Sequence, residues 1–205
     1  MSRNATRQAA MRARIAAAAA RIMAEDGVDD FAAAKRRAAR SLGAPDSQAL
    51  PGNDEIESEL RAYRGLYQPE EHASRIAALR RIALDAMRAL EQFNPYLTGP
   101  VLAGIAGPYA EIDLQLFPDS AKDVEIFLLQ RNIAFRTQEG RRFSGDQARA
   151  VSVFSTAWQG AAVRLLVFDA RDERVTLKST PTGRVAERAG IAEVGVLVRN
   201  GARPA

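Results

Sequence analysis

The chain has no cysteine and a single histidine among its 205 residues. Without cysteine there is no disulfide and no thiolate metal site, and one imidazole is too few for a zinc centre. Serine-histidine-aspartate chemistry would have to use His72, and no strained glycine-serine-glycine elbow is present to present a nucleophile. His72 lies among charged residues early in a helical stretch, where a surface position is expected. No run approaches the roughly 18 consecutive apolar residues that cross a bilayer. The alanine run Ala16 to Ala20 is too short and too weakly apolar for a signal-peptide core, and no small-residue cleavage site follows it. Aromatic residues are scarce, at 6%, and none precedes Phe31. A cytoplasmic protein without membrane attachment is the expectation. Apolar residues nevertheless make up 47% of the chain, enough for a folded core.

Acidic residues are missing from the start. Arg3, Arg7, Arg12, Arg14 and Arg21 all precede Glu25, and residues 1–40 hold nine Lys/Arg against four Asp/Glu. Three readings of this basic start stand side by side: a transit peptide, a nucleic-acid-binding arm, or a solvated helix face. The lack of stacking aromatics weakens the nucleic-acid reading. The cluster Lys35, Arg36, Arg37 and Arg40 is open to the same alternatives.

Helical signals fill the first half. Residues 5–25 are rich in alanine, the best helix former, with Ile15 and Ile22 on one face. Asp30 can cap a second helix, Phe31 to Leu42, which Gly43 ends. Ala44 to Asn53 holds two prolines and a glycine and reads as a linker. A third helix runs from Asn53 or Asp54 to about Tyr67. A fourth starts at Pro69, carries Glu70 and Glu71 in its first turn, and runs to about Phe93. At Leu97 the character changes to short strand-like runs: Val101–Ala103, Ile112–Phe117, Val151–Phe154 and Val163–Phe168. Asp119 to Arg131 reads as a helix between the second and third of these. Val185 to Val198 reads as a closing helix, weakened by Gly190 and Gly195. The predicted fold class is α+β, with a helical region over residues 1–96 and a small mixed-sheet domain over residues 97–205.

The segment Thr98 to Phe117 carries the chemistry. Glycines in its turn let backbone approach a phosphate with no side chain in the way. Glu111 and Asp113 are two apart on a predicted strand, so both point to one face. Paired carboxylates repel when ionised, and a divalent cation relieves that repulsion. A metal-bound nucleotide suits such a site.

This segment resembles the signature of the minimal nucleotidyltransferases, within the DNA-polymerase-β-like superfamily. Gly99 and Gly104 fall on that family's two glycines, and Glu111 and Asp113 fall on its metal-binding acidic pair. The resemblance covers about residues 97–170. It implies Mg²⁺ or Mn²⁺ on Glu111 and Asp113, a nucleoside triphosphate held by the turn at Gly99 and Gly104, and transfer of a nucleoside monophosphate to an acceptor. The acceptor is not indicated. Two departures stand out. Pro100 replaces the family's serine after the first glycine, removing a hydroxyl and an N–H. Arg164, within Val163-Arg164-Leu165, occupies the place of the family's third carboxylate. With a permanent cation there, a single metal ion and slow or absent transfer are expected. Asp169 is the nearest replacement acid.

The alternative reading is a degenerate member of the same fold, acting in nucleic-acid or protein binding, with the basic N-terminus as its contact surface. Arg141, Arg142 and Arg149 read as a connection before the third strand. Phe154 and Trp158 flank a predicted hairpin near Gly160 and read as packing residues.

Overall fold

The apolar spacing of the first half is realised as four helices. In a computed structural model, which describes residues 3–28, 30–44, 50–67, 69–144, 147–175, 178 and 187–201, α1 spans Arg3–Glu25, α2 Phe31–Ser41, α3 Asn53–Tyr67 and α4 Pro69–Ala89. Asp30 caps α2 by accepting from the Ala32 N–H at 2.8 Å. Residues 45–49 of the expected linker between α2 and α3 lie outside the described residues. Among those described, no helix is long and apolar enough to cross a membrane.

Two compact units result. One comprises Met1–Ser74 with Gly107–Tyr109, the other Arg75–Ala106 with Ala110–Ala205. In the helical unit, α1 buries Ile15, Ala16, Ala19, Ala20 and Met23 in one stripe. Ala34, Ala38 and Ala39 of α2 and Ile56 and Leu60 of α3 supply the rest of its core. Small side chains on these stripes let α1 pack closely on α2 and α3.

The second unit holds a six-stranded mixed sheet. Its strands are β1 (Tyr96–Thr98), β2 (Ile112–Leu116), β3 (Phe135–Ser144), β4 (Gln147–Trp158), β5 (Ala161–Val167) and β6 (Arg188–Ala189), in the order β3-β4-β5-β2-β1-β6. Helices α5 (Gly99–Ala103), α6 (Ala121–Gln130) and α7 (Ile191–Gly201) complete it. Only β2 and β5 pair in parallel; every other neighbour is antiparallel. A parallel pair needs a long crossover, and the chain from α6 through β4 supplies it.

Alternation sorts the strand residues onto two faces. One face presents Leu97, Ile112, Leu114, Leu116, Phe154, Val163 and Leu165 to Ala83 and Met87 of α4, Leu90 just beyond it, Val124 and Leu128 of α6, and Val194 of α7. The opposite face carries Asp113, Gln115, Arg164 and Leu166, with a smaller apolar cluster of Phe117, Val151, Leu166 and Phe168 at one end.

The α+β class is as expected. Several details differ from the sequence reading, among them the fourth helix, which ends at Ala89 and not at Phe93. Val101–Ala103 lies in α5, because Pro100 suits a first helical turn and Gly104, at φ +72°, ends it in left-handed geometry. Arg141, Arg142 and Arg149 belong to the long β3–β4 hairpin and not to a loop. The closing helix begins at Ile191, after β6, while Val185 and Ala186 lie outside the described residues.

Candidate functional site

The β1–α5 junction faces the acid-bearing strand. Gly99 follows β1 at φ +73°, a left-handed backbone that L side chains rarely adopt. A Cβ built there would stand 2.8 Å from Asp113 Oδ2, so glycine is required by both conformation and space. The cradle at Gly99 is thus filled by the Asp113 carboxylate itself. Gly104 closes α5, where Arg80 of α4 donates to the Val101 carbonyl at 3.1 Å and the Leu102 carbonyl at 2.7 Å. These bonds satisfy the free carbonyls at the helix end. The role of Arg80 gave no signal in the sequence, because it depends on a contact across 21 residues.

Glu111 immediately precedes β2, and Asp113 lies within it. Asp113 is buried, with 8% exposure, and Glu111 is half-buried. The structure brings the two together through a third residue. Asp113 pairs with Arg164 in the parallel register of β2 and β5, so the two side chains stand side by side on one face. The guanidinium grips the carboxylate with two bonds, Nε to Oδ1 at 2.7 Å and an Nη to Oδ2 at 2.9 Å. Its Nε also lies 3.1 Å from a Glu111 carboxylate oxygen. This two-pronged geometry is the strong form of a charge-assisted bond. The Asp113 bond, outweighing burial, raises the Arg164 pKa above its ordinary value, with Asp113 and Glu111 charges adding to it.

One cross-strand row holds Arg188, Thr98, Asp113, Arg164, Ser155 and Arg136, on β6, β1, β2, β5, β4 and β3 in turn. Thr98 Oγ1 donates to the Glu187 carbonyl at 2.7 Å. Arg188 stacks over Tyr96 and Phe117 and donates to the Glu173 carbonyl. Arg142 is half-buried on the same face. Its pKa is lowered, first by burial and then by the nearby Arg164 charge, with Asp113 partly offsetting both. Among the described residues Arg142 has no carboxylate partner; its hydrogen bond goes to the Arg141 carbonyl. Arg149, beside it in the hairpin, pairs with the buried Asp172 at 3.3 Å.

As arranged, this donor set does not fit a divalent cation. Both Asp113 oxygens and one from Glu111 are turned to a guanidinium whose charge offsets one of the two carboxylates. Among the described residues no three histidine, aspartate or glutamate side chains converge on one point. Asp169 caps the turn Ala170–Arg174 through the Arg171 N–H at 2.9 Å.

Four of the nine basic residues in the first forty are engaged within their own unit. Arg12 grips Glu55 at 2.7–2.9 Å, Arg21 pairs with Glu25 at 3.0 Å, and Arg37 pairs with Asp26 at 2.8 Å. Lys35 donates to Asn53 Oδ1 at 2.7 Å. Trp158, read as packing, also donates through Nε1 to Asp85 of α4 at 2.9 Å. Among known proteins, no family model, no curated protein and no solved structure matches this chain.

Proposed function

We propose that the chain is a nucleotidyltransferase-like module that does not transfer nucleotides and instead binds nucleic acid through the arginine-bearing face of its sheet. The observation that carries this reading is Arg164 bridging Glu111 and Asp113, with a permanent charge where a metal-dependent transferase needs a cation. With the acidic pair held by Arg164, Arg142 is left as a half-buried cation without a carboxylate partner among the described residues, and Arg136 lies exposed in the Arg164 row. Desolvated guanidiniums are strong phosphate donors and remain charged at neutral pH. The lack of stacking aromatics before Phe31 favours this face over the basic arm as the contact surface.

The transferase reading keeps one observation in its favour. The left-handed Gly99 backbone lies against Asp113 of the acidic pair, as that chemistry would use them. It requires Arg164 to release both carboxylates.

A labelled single-stranded DNA oligonucleotide, titrated at several salt concentrations, tests the proposal. Binding should weaken steeply with salt and be indifferent to Mg²⁺ or chelator. Replacing Arg142 with Gln should reduce the slope of log affinity against log salt by about 1, one phosphate contact's worth. Triphosphate binding that needs Mg²⁺ or Mn²⁺, with turnover, would return the chain to the transferases. Salt-insensitive or absent binding would leave the face without the proposed partner.

A further inference from the structure

On the helical side of the sheet, an open depression of about 310 Å³ lies between α4 and α7. Helix α4 contributes Arg81, Leu84, Asp85 and Arg88, spaced to lie on one face, and α7 contributes Gly195 and Arg199. Leu84 is buried and gives the groove an apolar floor, while the three arginines are exposed at its rim. Among the described residues none of these guanidiniums is hydrogen-bonded or ion-paired. Asp85 is fixed by its Oδ2, which accepts from Trp158 Nε1 at 2.9 Å and Gln159 Nε2 at 2.7 Å. Its other oxygen has no donor among the described residues.

Gly195 supplies an independent observation. It is buried within α7, where glycine costs about 0.5–1 kcal/mol relative to alanine. Nothing in the protein demands it. Among the described residues a Cβ there would meet only the Arg199 guanidinium, at an ordinary 3.6 Å, and both residues line the groove. The space is kept open although the fold would be steadier with it filled.

We infer that this groove binds a small phosphate monoester that also carries a hydroxyl, of the class of sugar phosphates and nucleoside monophosphates. Three guanidiniums against one carboxylate leave two positive charges, which match the nearly doubly negative monoester at neutral pH. Planar guanidiniums bind phosphate oxygens through paired donors. Asp85 would repel the phosphate, yet its free oxygen accepts from a hydroxyl and so orients the ligand. The volume lies at the small end of ligand sites.

Trp158 is the only tryptophan, and its bond to Asp85 makes it a reporter. The full chain is titrated with ribose 5-phosphate, adenosine 5′-monophosphate and inorganic phosphate, by tryptophan fluorescence and by calorimetry. At least one ester should bind saturably, with inorganic phosphate at least about tenfold weaker. Response to the sugar phosphate and the nucleotide alike places recognition on the shared ribose phosphate; response to the nucleotide alone extends it to the base. Arg88→Gln should weaken binding by about tenfold and leave oligonucleotide binding unchanged, which separates this groove from the face across the sheet. Gly195→Ala should raise the melting temperature by about 2 °C while weakening the ester. No heat and no fluorescence change, equal binding of inorganic phosphate, or an unchanged affinity in Arg88→Gln would overturn the inference.

Discussion

Arg164 decides more at this site than either acid. Two carboxylates on one face repel, and the side chain that relieves the repulsion determines what the face can do. A guanidinium relieves it permanently, whereas a metal ion would exchange with solvent. Replacing Arg164 with Leu should cost about 1–3 kcal/mol, less than for a fully buried pair because the arginine side chain is 39% exposed. The loss should be recovered by millimolar Mg²⁺ in the variant and not in the parent protein, since the freed acids then resemble a cation site. Thermal melts of both proteins with and without Mg²⁺ check this. Equal stabilisation of the parent would show that ions displace Arg164 unaided. The acidic pair was legible from the sequence, because two-residue spacing on a strand fixes a shared face. Arg164 was legible as a departure from a pattern but not as a partner. Its contact depends on the β2–β5 register, which joins residues 51 apart in the chain.

The junction of β1 with α5 shows why the apolar run Val101–Ala103 misled. Three apolar residues in a row suit a strand or a buried helical turn equally, and the flanking punctuation arbitrates. Pro100 starts the helix and Gly104 ends it. Strand β3 escaped notice for the opposite reason. Its sequence, FRTQEGRRFS, is nearly all polar, as an edge strand can be when backbone pairing with β4 holds it in place. Both glycines of the junction adopt left-handed geometry, but only one is crowded. Gly99→Ala should cost about 2–4 kcal/mol, combining backbone strain with the 2.8 Å approach to Asp113, and Gly104→Ala about 1 kcal/mol, since Arg80 can yield at 3.4 Å. Denaturant melts rank the two. A double variant, Gly99→Ala with Asp113→Ala, should recover the steric part but not the strain. Equal costs for the two glycines would refute the close approach.

Each of the two units has its own apolar core, and they differ in how charge supports them. In the helical unit, Glu25 is held below the ordinary carboxylate value of 4.5, first by the 2.6 Å bond from the Tyr63 hydroxyl and then by Arg21. Glu55 is likewise lowered, chiefly by the Arg12 bond. A carboxylate whose folded pKa is depressed contributes stability above its unfolded pKa and loses it as pH falls through the folded value. The helical unit should therefore weaken as pH drops below about 4.5, by a modest amount because both acids are exposed. Far-UV circular dichroism reports the helices of both units, while Trp158 reports the sheet unit alone, so a change seen by dichroism and not by tryptophan belongs to the helical unit. The melting temperature by circular dichroism should fall between pH 5 and pH 3 in the parent protein. It should fall less when Glu25 and Glu55 are both replaced by Gln, which removes the protonation step at the expense of a small loss at neutral pH. High salt should shrink the difference between the two proteins, since exposed pairs are screened. An equal fall in both would show that other groups govern the acid response. A fall confined to the tryptophan signal would move the acid-sensitive charges to the sheet unit, where Asp113 and Asp172 each face an arginine.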